Sequence, residues 1–91
     1  MTSSSRWAVV ADPRAAQDLK KLHRQHHPIL SQLLRAIDAL PDQPYAGKPL
    51  TGDKRGSHSL RVGDFRVIYD LYPATRTIHL IRVGDRKEIY R

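Results

Sequence analysis

The chain has 91 residues and a mass of 10.4 kDa, too few for two domains that could each bury enough apolar surface to fold alone. Its 16 Lys and Arg outnumber 9 Asp and Glu, a formal charge of +7 that favours a polyanionic partner. The absence of cysteine excludes disulfides, thiolate zinc sites and a cysteine nucleophile. No apolar run approaches the roughly 20 residues that span a bilayer. We therefore expect a cytoplasmic protein without membrane contact, with a flexible tail at residues 1–6 and a single domain at 7–91.

The N-terminal part predicts one strand and one helix. A short apolar run at residues 7–11 favours a strand. Asp12 can cap a helix that begins at Pro13, because proline fits the first helical position. The helix is amphipathic, and we expect it to end near His26. Its apolar positions at helical spacing are Ala15, Leu19 and Leu22.

A second helix follows after a short link. Pro28 can open it, and Pro41 and Pro44 end it. Because the link is short, the two helices should form an antiparallel helical hairpin. The apolar stripe of this helix is Ile29, Leu30, Leu33, Leu34, Ile37 and Leu40.

The second half of the chain predicts a long loop and then sheet. Residues 41–56 are rich in Pro and Gly, and loops of this length inside a compact domain are often functional. Three strands are predicted at residues 57–62, 65–72 and 77–83. Gly63-Asp64 suits a two-residue hairpin loop between the first two, and Gly84-Asp85 should close the last strand before a short tail. The order β-α-α-β-β-β indicates an α+β fold.

The predicted hairpin sets two arginines opposite each other. With Gly63-Asp64 as its loop, Arg61 opposes Arg66, and the alternate residues can pack beneath the helices. Like charges in that position destabilise a sheet by up to about 1 kcal/mol. An anion held between the two guanidinium groups would account for the pair. The alternative is that both are solvated on an exposed face or paired with Asp70.

Most of the charge lies in the C-terminal part. Residues 1–53 carry 7 basic and 5 acidic side chains, a net +2, whereas residues 54–91 carry 9 basic and 4 acidic ones, a net +5. The tail after the last strand contributes Arg86, Lys87 and Tyr90. It either returns beside the arginine pair or is an ordinary solvated terminus.

Three histidines, His23, His26 and His27, lie near the end of the first helix and could be ligands of a metal ion. His23 and His27 lie four residues apart and could face together on a helix. No acidic residue lies close by in sequence to complete a ligand set. We therefore favour imidazoles around a helix C-terminus, where partial positive charge is stabilising, and expect no metal or other cofactor.

Several short motifs occur in a characteristic order. They lie at residues 48–52, 60–69 and 82–91, with an Ala-x-x-Asp-Leu-x-x-Leu pattern beginning at Ala15. Together they resemble the RelE group of bacterial toxins, within the RelE/ParE superfamily, over nearly the whole chain from Trp7. The resemblance implies a microbial-ribonuclease-type fold, with the helical hairpin on one face of a mainly antiparallel four-stranded sheet and a basic cleft on the other.

The resemblance also implies a function and a site. The expected function is that of a type II toxin: a metal-independent endoribonuclease that cleaves messenger RNA in the ribosomal A site. A cognate antitoxin would cover the basic sheet face, the helices or both, and operator DNA would be met only through that complex. The expected catalytic residues are Arg61, Arg66, Arg86 and Tyr90. Apart from the resemblance, we expect further residues to bind RNA, with Lys54, Arg55 and His58 as candidates either for holding RNA or for serving as the base, and with simple solvation as the alternative for the loop lysines. The expected RNA-binding residues are Lys48, Lys54, Arg55, His58, Arg82 and Lys87.

Departures from the family pattern leave alternatives open. Ser57 and Ser59 stand where well-known members have lysines, and residues 45–57 lack the glutamate that could act as general base. Tyr90 could stack on a base, transfer a proton or simply anchor the tail. The competing functions are a ParE-like toxin that inhibits DNA gyrase without cleaving RNA, and a plain RNA-binding module with salt-dependent binding.

Overall fold

The computed structural model describes residues 6–51 and 56–89. The predicted tail at residues 1–6 lies outside this part except for Arg6, whose Nε is 3.2 Å from an Asp42 carboxylate oxygen. The strands are β1 (Ala8–Ala11), β2 (Lys48–Pro49), β3 (Ser57–Val62), β4 (Phe65–Tyr72) and β5 (Thr77–Asp85). The helices are α1 (Pro13–Arg24), α2 (Leu30–Ala39) and α3 (Arg86–Ile89), and a 3-10 turn at Leu40–Asp42 follows α2.

The strands form one mixed sheet in the order β1-β5-β4-β3-β2. β1 runs parallel to β5, and the other neighbours are antiparallel. The α+β class, the helical pair on one face and the mainly antiparallel sheet are thus confirmed. The prediction of four strands is wrong, because Lys48 and Pro49 within the predicted loop pair with Ser59 and His58 as a fifth strand. Proline is tolerated there because β2 is an edge strand.

The last strand is longer than predicted, and the tail after it is helical. Gly84 and Asp85, expected to close the strand, continue it by pairing with Arg66 and Phe65. The Asp85 carboxylate then accepts a hydrogen bond from the Lys87 N–H at 2.8 Å. This is N-cap geometry, in which a side-chain oxygen satisfies a free amide at the start of a helix.

Helix α1 begins as predicted. The Arg14 N–H donates to Asp12 Oδ2 at 3.0 Å, and Pro13 occupies the first helical position. The helix ends with paired bonds, from the His27 N–H to the Leu22 carbonyl at 3.0 Å and from the His26 N–H to the His23 carbonyl at 3.1 Å. This is the Schellman pattern, which places one residue in the left-handed region. That residue is His26, with φ of 50°.

Replacing His26 with glycine should stabilise the domain by about 0.5–1 kcal/mol, because glycine adopts a left-handed conformation without the penalty that a Cβ imposes. The measurement is the urea midpoint of the variant against the wild type. The same replacement at His23, inside α1, should instead cost a few tenths of a kcal/mol, because glycine has a lower helix propensity than histidine. A lower midpoint for His26→Gly would contradict the role given to this cap.

The core lies between the two long helices and one face of the sheet. Leu33, Val67, Tyr69 and Ile78 are all fully buried there. The strand residues predicted to face the helices all lie in this cluster or pack against it; they are Leu60, Val62, Phe65, Val67, Tyr69 and Leu71. Because side chains alternate along a strand, the opposite sheet face, here called the open face, carries Arg61 and Arg66.

Candidate functional site

The predicted arginine pair is present in the structure. Arg61 pairs with Arg66 and Val62 with Phe65 across the β3–β4 hairpin. Gly63 has φ of 60°, which fits a two-residue loop with glycine at its first position. The Arg61 Nε donates to the Gly63 carbonyl at 3.2 Å. The other cross-strand neighbour of Arg66 is Gly84, which has no side chain to compete for space beside the guanidinium.

The third predicted arginine, Arg86, is the first residue of α3 and lies at the same end of the sheet as the β3–β4 loop. The Arg86 N–H donates to the carbonyl of Asp64, the second loop residue, at 3.0 Å. This bond fixes the start of α3 against the hairpin loop. Arg61, Arg66 and Arg86, here called the arginine cluster, therefore share one end of the sheet, and exposed Lys87 follows directly.

No carboxylate neutralises the arginine cluster among residues 6–51 and 56–87, whose side chains the structure describes. The ion pairs within 4.0 Å in this part involve Arg6, His79 and Arg82. Asp70, the carboxylate considered as a partner for the pair, instead accepts a hydrogen bond from the Ser57 hydroxyl at 2.5 Å. The cluster is thus a concentration of positive charge that an anion can satisfy.

Lys48 lies beside the arginine pair. Its cross-strand partner is Ser59, so it shares the open face with Arg61, two residues further along β3. Side chains in such diagonal positions lie about 7–8 Å apart. The side chain of Lys48 is exposed, which leaves its ammonium group free to meet a phosphate in the same region.

His58, predicted to bind RNA, is placed away from the cluster. Its ring stacks on that of Tyr69, with 5.4 Å between centroids and 17° between planes, and meets the edge of Tyr45. Tyr69 belongs to the core, so His58 lies on the helix side of the sheet, opposite to Arg61 and Arg66. Its Nδ1 is buried and has no hydrogen-bond partner among the described residues.

Arg82, also predicted to bind RNA, is held by a carboxylate. Its Nε donates to Asp18 Oδ2 on α1 at 3.0 Å. The register irregularity of β4 and β5 lies here: Ile68 pairs with Arg82 and Tyr69 with Leu80. Three further predicted site residues, Lys54, Arg55 and Tyr90, lie outside the described residues.

Asp18 has a structural role that the sequence reasoning missed. Beyond Leu80, which accepts from the Asp12 N–H, β1 no longer covers the outer edge of β5. Asp18 Oδ2 fills this gap by accepting from the Val83 N–H at 2.8 Å as well as from Arg82. The available signal was an acidic residue in the middle of a helix whose other charged residues are all basic.

Tyr69, predicted to be a packing residue, also anchors the loop before β2. Its hydroxyl accepts from the Gly47 N–H at 2.8 Å and donates to the Pro44 carbonyl at 2.9 Å. Burial raises the pKa of this phenol above its usual value near 10, and the Gly47 N–H offsets part of that rise. The hydroxyl therefore stays protonated near neutral pH and can donate.

The histidines near α1 have local structural roles. His26 lies in the helix cap, and His27 Nδ1 accepts from the Ile29 N–H at 3.1 Å. Over residues 6–51 and 56–89, no group of three or more His, Asp or Glu side chains is arranged to hold a metal ion. No helix in that same part of the chain is long and apolar enough to cross a membrane.

Comparisons with known proteins agree with this architecture. The family model described as "ParE toxin of type II toxin-antitoxin system, parDE" matches residues 9–90. Toxin RelE of Mycobacterium tuberculosis is 29% identical over 92 residues, which cover 100% of this chain and 93% of the relative. Toxin RelG of the same organism is 32% identical over 74 residues, covering 79% and 85%.

A solved structure supports the same relationship. The toxin–antitoxin complex RelBE2 of M. tuberculosis contains a chain that is 30% identical, with a TM-score of 0.76, and the match covers 89% of this chain and 99% of that one. Sequence and fold therefore lead to one conclusion. The protein belongs to the ParE toxin family of type II toxin–antitoxin systems, within the RelE/ParE superfamily.

Proposed function

We propose that this toxin is a metal-independent endoribonuclease that cleaves messenger RNA in the ribosomal A site. The observation that carries the proposal is the arginine cluster, which no carboxylate of the described residues neutralises. A toxin that acts by surface contact alone has no need of like charges set directly opposite each other. A bound phosphate offsets their repulsion and makes the arrangement favourable.

The proposed chemistry is attack of the RNA 2′-hydroxyl on the adjacent phosphate. The reaction removes a proton from that hydroxyl, passes through a pentavalent phosphorane and protonates the departing 5′-oxygen. Arg61, Arg66 and Arg86 bind the scissile phosphate and stabilise the charge that develops on its oxygens. The hairpin sets Arg61 and Arg66 in place before substrate arrives, which lowers the reorganisation needed during the reaction.

The remaining roles are proposed for residues around the cluster. Tyr90 follows α3, whose start is bonded to the hairpin loop; it stacks on a base or takes part in proton transfer. Lys48 and Lys87 bind RNA beside the cluster, and Lys54 and Arg55 act in the same way. His58 and Arg82 lie against Tyr69 and Asp18, so we no longer assign them to RNA.

We also propose neutralisation by a cognate antitoxin. The related RelBE2 toxin was solved in complex with its antitoxin. Here, a partner with acidic side chains would complement the arginine cluster, and apolar surface at Leu34, which is 44% exposed on α2, offers a second contact. Such a partner covers the basic sheet face, the helices or both, and links the toxin to operator DNA.

The name of the matching family model favours one alternative, a ParE-like toxin that inhibits DNA gyrase. The two functions are separated by adding the toxin to an in vitro translation reaction, mapping message ends by primer extension, and assaying gyrase supercoiling in parallel. Cleavage inside codons with normal supercoiling is expected. Intact message with inhibited supercoiling would overturn the proposal, and so would salt-dependent RNA binding without cleavage.

A further inference from the structure

A buried tyrosine ties the loop before β2 to the centre of the sheet. Tyr69 lies on β4 and is fully buried. Its hydroxyl bonds both ends of the turn at residues 44–47, donating to the Pro44 carbonyl and accepting from the Gly47 N–H. One phenol oxygen therefore fixes where this turn begins and where it ends.

The close approach requires glycine at the end of the turn. A Cβ at position 47 would lie 2.7 Å from the Tyr69 hydroxyl oxygen and 3.0 Å from the Ser59 carbonyl oxygen. Both distances are shorter than van der Waals contact allows. Any side chain at Gly47 must push the turn away from Tyr69 or displace the tyrosine.

The residue after this contact is Lys48, at the start of the shortest strand. β2 pairs with β3 through only two residues, and Pro49 has no N–H to donate. The Leu50 N–H donates to the Ser57 carbonyl at 2.8 Å beyond the pair. So short a ladder holds its register weakly, and the Tyr69 hydroxyl adds a fixed point directly before Lys48.

We infer that Tyr69 is a positioning residue, which holds Lys48 beside the arginine pair so that its ammonium group contacts a neighbouring RNA phosphate. The inference rests on the proposed function, because it takes RNA as the ligand of the open face. The side chain of Tyr69 lies on the helix side of the sheet, opposite to the open face, so it does not touch RNA itself. It acts indirectly, because its hydrogen bond with Gly47 fixes the register in which β2 pairs with β3.

The test is the salt dependence of binding to a single-stranded RNA whose 2′-O-methyl groups prevent cleavage. Each phosphate contact contributes about 0.7 to the slope of log K against log salt for single strands. Lys48→Gln should lower the slope by about 0.7. Tyr69→Phe retains Lys48 but should lower the slope by most of the same amount. The double variant, with both substitutions, should lower the slope no further than Lys48→Gln alone. A merely structural loss of stability would leave the slope of the folded protein unchanged.

Two further variants complete the experiment. Tyr72→Phe removes a hydroxyl from a half-exposed tyrosine on the same strand and should keep the wild-type slope. Gly47→Ala disturbs the contact from the other side and should reproduce the loss, which keeps the test valid if Tyr69→Phe fails to fold.

The possible outcomes separate this inference from the proposed function. A wild-type slope in folded Tyr69→Phe and Gly47→Ala, with a reduced slope in Lys48→Gln, would overturn the positioning role alone. An unchanged slope in Lys48→Gln would also overturn it, while Arg61 and Arg66 could still bind RNA. Wild-type protein that shows no salt-dependent binding to RNA would contradict the proposed function itself.

Discussion

Arg66→Ala should lower the rate of message cleavage about 10²–10³-fold, the usual effect of removing one preorganised donor to a developing oxyanion. Arg66 lies between Arg61, which is proposed to bind the same phosphate, and Gly84, which has no side chain that could take over the lost contact. The measurement is the single-turnover rate on programmed ribosomes, read by primer extension. Circular dichroism should show an intact fold, because the arginine lies on the open face and not in the core.

Two variants serve as controls for Arg66→Ala. Arg35→Ala removes the same charge from an exposed position on α2 and should leave the rate unchanged. Arg66→Lys keeps the charge but loses the two-pronged hydrogen bonding of the guanidinium, so it should recover only part of the rate. Wild-type cleavage by a folded Arg66→Ala protein would refute the catalytic assignment.

Asp18→Ala should lower the free energy of unfolding by about 1.5–3 kcal/mol, the range for hydrogen bonds that involve a charged group. The loss leaves the Val83 N–H and the Arg82 guanidinium without their shared acceptor, in a place where the Asp18 side chain is only 19% exposed. In a domain of this size each kcal/mol shifts the melting temperature by about 4–8 °C. Thermal and urea unfolding measure the effect.

Comparison with two other variants isolates the role of Asp18. Asp18→Asn keeps an acceptor for the Val83 N–H but removes the charge that holds Arg82, so its loss should be smaller. Asp38→Ala removes a carboxylate from an exposed site on α2 and should change stability by less than about 0.5 kcal/mol. If Asp18→Ala has the same melting temperature as the wild type, this contact does not contribute to the stability of β5.

The arginine pair was predictable because it depends on local chemistry. Gly63-Asp64 fixes the hairpin loop, and the loop fixes every later pair of β3 and β4. The same alternation could have placed His58 correctly, since it shares its strand face with Leu60 and not with Arg61.

Other features depend on contacts between distant parts of the chain. β2 has two residues, one of them Pro49, and its neighbouring turn is bonded to Tyr69 on another strand. No local pattern reveals such a strand. In the sequence, Arg82 is one of several basic residues near the C-terminus. In the structure its guanidinium is held by Asp18, which lies 64 residues earlier in the chain. Long-range partners of this kind decide which cations remain available to a ligand.

The parallel pairing of β1 with β5 has a consequence for synthesis of the protein. In the described part of the chain, the only sheet neighbour of β1 is β5, which follows all the other strands in the chain, so β1 has no strand to pair with until β5 has been made. Gly84, the neighbour of Arg66, belongs to the same late segment. A nascent chain therefore completes its sheet and its phosphate site almost together, and a prematurely released product that lacks β5 should be both unfolded and harmless.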